Sequence, residues 1–182
     1  PASSLPCECE RKRLTTMTTR SPSRLLLALS AATAAAALLT GCSLLSGGDA
    51  QRDDTGTVVE GNDEADVFLL QVGDCINDSE LGDVVTTLPI VPCSEPHDSE
   101  TYFEATLEGD AFPGDDAISE QSDQICYDAF AGFVGIAWEE SSLGYYPFTP
   151  TEQSWDNGDR LVSCMIYDPA GQTTGSLAGS AK

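Results

Sequence analysis

Positive charge is scarce in this chain. Eight Lys and Arg stand against thirty Asp and Glu over 182 residues, a formal net charge of −22 at pH 7. The few cations are also unevenly placed. Arg11, Lys12, Arg13, Arg20 and Arg24 precede Cys42, and only Arg52, Arg160 and Lys182 follow it. Of the acids, only Glu8 and Glu10 come before that cysteine. A surface so acidic repels phosphate backbones, which excludes nucleic acid as a partner. It also repels bare anionic headgroups, so membrane contact has to come from a covalent anchor rather than a basic patch.

Histidine is scarcer still, with His97 alone in the chain. There is no Gly-x-Ser-x-Gly elbow to carry a nucleophile. No Cys-x-x-Cys pair supports a zinc site built from Cys75, Cys93 and His97. Asp156 and Asp159 lack the spacing of an EF-hand calcium loop. No internal repeat is visible. The expectation is therefore no metal, no cofactor and no enzyme.

What is present begins with an export signal. Arg20 and Arg24 lead into residues 25–39, an uncharged run of Leu, Ala, Ser and Thr, followed by Leu39-Thr40-Gly41-Cys42. A positive stretch, an apolar stretch and small residues before a cleavage point are the parts of a secretory signal. The last four residues match the lipobox of bacterial lipoproteins. Cleavage before Cys42 and lipidation of its thiol, palmitate included, are expected, and two acyl chains suffice for stable anchoring. Met17 reads as the start, and residues 1–41 belong to the discarded side. An uncleaved membrane helix over residues 25–45 would be long enough to span. However, Gly41 and Cys42 interrupt it and no basic stop-transfer cluster follows.

Residues 43–66, rich in Gly, Asp, Ser and Thr, read as a flexible acidic tether. The domain is expected over 67–177, with a loose tail at 178–182 and Gly/Ser/Thr-rich sequence from 169 onward. Strands are expected at 67–72, at 84–91 with Pro89 near an edge, at 101–107, at 143–148 and at 160–167. In the third strand Phe103, Ala105 and Leu107 alternate with Tyr102, Glu104 and Thr106. Between them Ile118, Ser122, Ile125, Cys126, Ala129, Phe130 and Phe133 follow steps of three and four, one face of a helix. Asp115 or Asp116 would cap its start and Gly132 or Gly135 its end. The fold class is α+β: a small antiparallel sheet with one main helix packed on one face.

Four cysteines follow Cys42, and an even count in an exported domain implies disulfides, with three connectivities open. Cys75 and Cys93 each end a strand. Cys126 lies on the apolar helix face, and Cys164 lies in a strand on the face of Val162 and Ile166. The pairing favoured is Cys75–Cys93 with Cys126–Cys164.

Two stretches are candidate binding residues. In Pro96-His97-Asp98, the imidazole beside acids would suit a general base, and an envelope hydrolase using His97 with a carboxylate is the alternative function. Neighbours in a strand point to opposite faces, though, so a turn in which Asp98 holds local amides is the plainer reading. In the second stretch, Trp155 to Arg160, Asn157-Gly158 signals a hairpin turn. Arg160 is expected to pair with a carboxylate. Tyr145, Tyr146, Phe148 and Trp155 are either an aromatic patch or core.

Val72-Gly73-Asp74-Cys75, then Val91-Pro92-Cys93 with Pro96-His97-Asp98, a helical Cys126, Trp155 ahead of Gly158-Asp159-Arg160, Cys164, and a closing Gly175-Ser176-Leu177 together resemble the septum-formation domain family of actinobacteria. The resemblance covers 67–177. It implies an exported, membrane-attached, cysteine-bearing domain linked to cell division, and it supplies no catalytic residues. The combined expectation is a non-enzymatic binding or scaffold module on the extracytoplasmic face of the cell membrane. The bilayer would hold it through Cys42, and its partners would be envelope or division proteins or a cell-wall polymer. A carrier of cations or small ligands is a third reading.

Overall fold

The computed structural model describes residues 48–82 and 84–182. The expected signal segment and the expected lipid site at Cys42 lie outside the described residues. Among the described residues no helix is long and apolar enough to cross a membrane.

Ten elements follow one another. The strands are β1 (Gln51–Arg52), β2 (Val58–Glu60), β3 (Asn62–Asp66), β4 (Cys75–Ile76), β5 (Thr87–Val91) and β6 (Ser99–Thr106). Helix α1 (Asp115–Val134) comes next, then β7 (Gly144–Phe148), α2 (Glu152–Asp156) and β8 (Leu161–Tyr167). β1 and β2 form a hairpin of their own, and the other six strands make one sheet in the order β3-β5-β4-β6-β8-β7. Every pairing is antiparallel. The fold is α+β with one main helix and both disulfides, and its sheet is larger than expected.

Apolar spacing explains the helix. Ile118, Ser122, Cys126, Phe130 and Val134, four apart, form its buried stripe. They pack on Tyr102, Val162, Cys164 and Ile166 of β6 and β8. Gly114 caps the start with φ of 98°, a conformation that suits glycine, so Asp115 and Asp116 sit inside the first turn rather than at the cap. There they complement the helix dipole. Gly135 ends the helix in the left-handed region, and its N–H bonds the Ala131 carbonyl. The Cys126–Cys164 bridge, with Cα atoms 5.4 Å apart, locks helix to sheet. Cys75–Cys93 locks β4 to the end of β5.

The opposite face of β8 carries Met165, which belongs to a second core with Ala50, Val58, Ala65, Leu70, Ile76, Leu88 and Ile90. This core corrects the reading of 43–66 as tether. Over 48–66 the chain is folded: β3 pairs with β5, and Ala65 is fully buried. Arg52 reaches Asp49 and Asp74, tying the hairpin to the turn before β4. A strand that turns one alanine inward needs almost no apolar composition, so composition concealed it.

Four further expectations are corrected. Residues 67–72 are not a strand. The Asp66 carboxylate accepts from the Phe68 amide and starts a short 3-10 turn, leaving Phe68 and Leu69 exposed while Leu70 enters the core. β5 lies inside the sheet despite Pro89. β3 is irregular opposite it, and β4 ends at Ile76, so the missing N–H has little ladder to break. In β6 a register shift between Thr101 and Phe103 turns Tyr102 into the core and Phe103 outward. The residues after 168 are packed. Leu177 is buried, and the Gly179 and Ala181 amides bond Phe133 and Val134 carbonyls. The sheet edges are blunted by Pro147 in β7 and by Asp63 and Glu64 in β3.

Candidate functional site

On the sheet face away from α1, two adjoining cavities open beside β7 and β8. One has a volume of about 520 Å3 and the other about 750 Å3. They share Gly82, Val85 and Phe148, so together they form a continuous groove.

The smaller cavity is acidic and aromatic. Tyr146 donates to Ser99 Oγ at 3.1 Å, and Ser99 donates to Asp78 Oδ2 at 2.7 Å. Asp98 stands beside Asp78, its Oδ2 accepting from the Asp78 amide at 3.0 Å and the Ser79 amide at 3.1 Å. Burial, reinforced by the Asp98 charge, raises the Asp78 carboxyl above its ordinary value, against the Ser99 hydrogen bond. Burial also works to raise Asp98, but the amides and the Gln172 side chain outweigh it and hold that carboxyl low. Asp168, a third carboxylate of the wall, is paired with Lys182, whose ammonium lowers its pKa. The rings of Tyr146, Phe148 and Tyr167 complete the lining, with Tyr146 5.7 Å from Phe148 and 5.9 Å from Tyr167. The larger cavity mixes apolar Val67, Phe68 and Leu161 with neutral donors and acceptors such as Thr149, Ser154 and Asn157.

The residues singled out in the sequence divide between site and scaffold. Asp98 lines the groove and holds local amides. His97 is fully buried behind it. A carbonyl only accepts, so Nδ1, 2.9 Å from the Glu95 carbonyl, carries the proton. Nε2 then accepts from the Thr173 hydroxyl at 3.1 Å. The backbones of His97 and Thr173 also bond each other in both directions. Neither ring nitrogen is free to meet a substrate.

Trp155 and Arg160 serve the scaffold. Trp155 is buried, and its indole N–H donates to the Asp110 carbonyl at 3.2 Å. The expected two-residue hairpin at Asn157-Gly158 is instead the C-terminal end of α2, which Thr151 opens with a capping box. Among the described residues Arg160 makes no ion pair. Its guanidinium lies 3.6 Å from the Trp155 ring centroid and donates to the carbonyls of Gly109, Trp155 and Asp159. The cation paired with buried carboxylate is Arg52. The expected aromatic patch is also divided. Tyr145 packs on the helix side with Phe130 and Trp138, whereas Tyr146 and Phe148 face the groove. Among the described residues, one cluster of metal-ligand types forms, Cys75, Cys93 and Glu100. Its sulfurs are joined in a disulfide, which leaves no thiolate for a metal.

Sequence reasoning missed Asp78, Ser99, Tyr146 and Tyr167 as one group. They come from three strands and a loop, and nothing in their spacing announces the meeting.

These features define a disulfide-stapled α+β domain with a groove on the sheet face opposite its helix. The chain belongs to the septum formation family, whose model matches residues 18–175. The family's description connects the chain to cell division. The match starts well before residue 67, where the resemblance begins. No curated protein and no solved structure matches the chain.

Proposed function

We propose that this chain is an extracytoplasmic lipoprotein, held on the outer face of the cell membrane by acyl chains on Cys42. There it acts as a non-enzymatic binding module in septum formation. Its partners are envelope or division proteins, or a wall polymer, laid along the groove.

The observation that carries this reading is the groove itself. It is open, lined by rings, carboxylates and neutral polar groups, while the single histidine is sealed behind it with both nitrogens engaged. The two disulfides support export, because such bonds persist in oxidising surroundings. The family match from residue 18 takes in the signal segment and Cys42 as well as the domain. Cleavage and lipidation require a thiol at position 42. Cys42→Ala should therefore abolish lipid labelling and leave an uncleaved precursor, while the unaltered protein, fluorescently tagged, should concentrate at septa. Unchanged labelling of the variant, or a uniform distribution of the tagged protein in dividing cells, would overturn the proposal.

A further inference from the structure

We infer that the smaller cavity receives an aliphatic primary ammonium, the head group of a lysine-type side chain on an extended peptide lying in the groove. The inference rests on the reading of the groove as the binding face and names its ligand.

The volume, about 520 Å3, lies in the range of small-molecule sites and accommodates such a side chain. The charge calls for a cation. Asp78 and Asp98 lie side by side, and Asp78 Oδ2 is occupied by Ser99. Asp78 Oδ1 accepts no hydrogen bond among the described residues.

Each of the chain's own cations after Cys42 has partners other than Asp78 and Asp98. Arg52 is held by Asp49 and Asp74, and Arg160 by carbonyls and the Trp155 ring. Lys182 is on Asp168 at the margin of this same cavity. That pair displays the proposed chemistry once already, an ammonium on a carboxylate of the wall.

The rest of the lining selects an organic cation over a metal ion. A calcium ion takes six to eight oxygens. Among the described residues, Asp78, Asp98 and Asp168 do not bring their oxygens close enough together to share an ion. The rings of Tyr146, Phe148 and Tyr167 line the cavity instead, and aromatic rings attract an ammonium and cover the methylenes behind it. From there the groove runs into the larger cavity, where hydroxyls and amides can meet a peptide backbone.

The test uses the full lipidated protein in detergent, titrated by calorimetry with a blocked alanine pentapeptide carrying one central lysine. The same peptide with that lysine Nε-acetylated is the comparison. Binding of the free lysine form, at least tenfold weaker on acetylation and at least tenfold weaker in Asp78→Asn, is expected. Asp123→Asn, on the opposite side of the sheet, should bind as the unaltered protein does. Equal binding of the two peptides, or no binding of the lysine form by folded protein, overturns the inference. The acetylation comparison needs no variant, so it decides even if Asp78→Asn fails to fold. Lipid labelling and septal position are read independently, so a failure here leaves the proposed function standing.

Discussion

Three buried polar residues show how much single groups bear. Asp74 sits in the Gly-Asp-Cys turn, nearly inaccessible, and takes the Arg52 guanidinium at 2.5 and 2.8 Å together with the Gln71 amide. Arg52→Ala would strand that carboxylate without its cation. Breaking one side of a buried pair costs roughly 3–5 kcal/mol, and urea unfolding should read a loss of that order; a loss under about 1 kcal/mol, the size of a surface pair, would refute the assignment. Ser122 is the opposite case, with a buried hydroxyl that has no partner among the described residues. Ser122→Ala removes an uncompensated desolvation penalty and should leave stability unchanged or raise it by up to about 1 kcal/mol. Glu100 anchors the closing segment by accepting from Ser176 and the Leu177 amide. Burial raises its carboxyl above 4.5, against those hydrogen bonds. The folded chain thus keeps a proton over an interval above that value in which the unfolded chain has lost it. This group therefore makes stability fall as pH rises through the interval. Glu100→Gln should flatten that part of the Tm-against-pH curve, and an identical slope in variant and parent would contradict it.

At the scale of elements, legibility followed how local the cause was. Helix α1 was readable because its stripe repeats within one element, and the Gly135 stop is a local backbone device. β7 and β8 were readable from apolar content. β3 was not, because what makes it a strand is its partner β5 and a single inward alanine. The 67–72 run is apolar enough for a strand, but the Asp66 cap turns it before it can pair. In β6 the bulge is what local alternation could not show: it adds Tyr102 to the core that holds Leu107 and leaves Phe103 exposed. Of the candidate site, Asp98, Tyr146 and Phe148 were visible in the sequence, whereas Asp78, Ser99 and Tyr167 were not. Glycine in β7 is a tertiary requirement of the same kind. A Cβ at Gly144 would stand 2.5 Å from Cζ of Tyr167. Gly144→Ala should push that ring from the cavity wall at a cost of about 1–3 kcal/mol. The accompanying loss of groove binding is measurable by the same calorimetry; full retention of binding and stability would show that the ring has room to move.

For the whole molecule, the two bridges are unequal. Cys126–Cys164 closes 38 residues and joins the helix to the middle of the sheet, whereas Cys75–Cys93 closes 18 residues at one end. The chain-entropy relation assigns about 4 kcal/mol to the first and about 3 to the second. Since a domain of this size has a total stability of about 5–15 kcal/mol, removing the first pair as Cys126→Ala with Cys164→Ala should bring it close to unfolding. Removing the second pair should cost less. Thermal unfolding of the two double variants gives the order, and a reversed order would mean that strain or residual structure outweighs loop length.

The sequence by itself determined the charge, the helix and the presence of sulfur pairs. These are properties of composition or of neighbours within one element, and they do not depend on where the chain goes next. Tertiary structure alone decided that residues 48–66 fold into the domain, that His97 is sealed and that Arg160 stacks on an indole. It also brought Asp78, Asp98, Tyr146 and Tyr167 around one cavity. Those outcomes depend on distances between segments far apart in the chain, which exist only once the sheet has set its register.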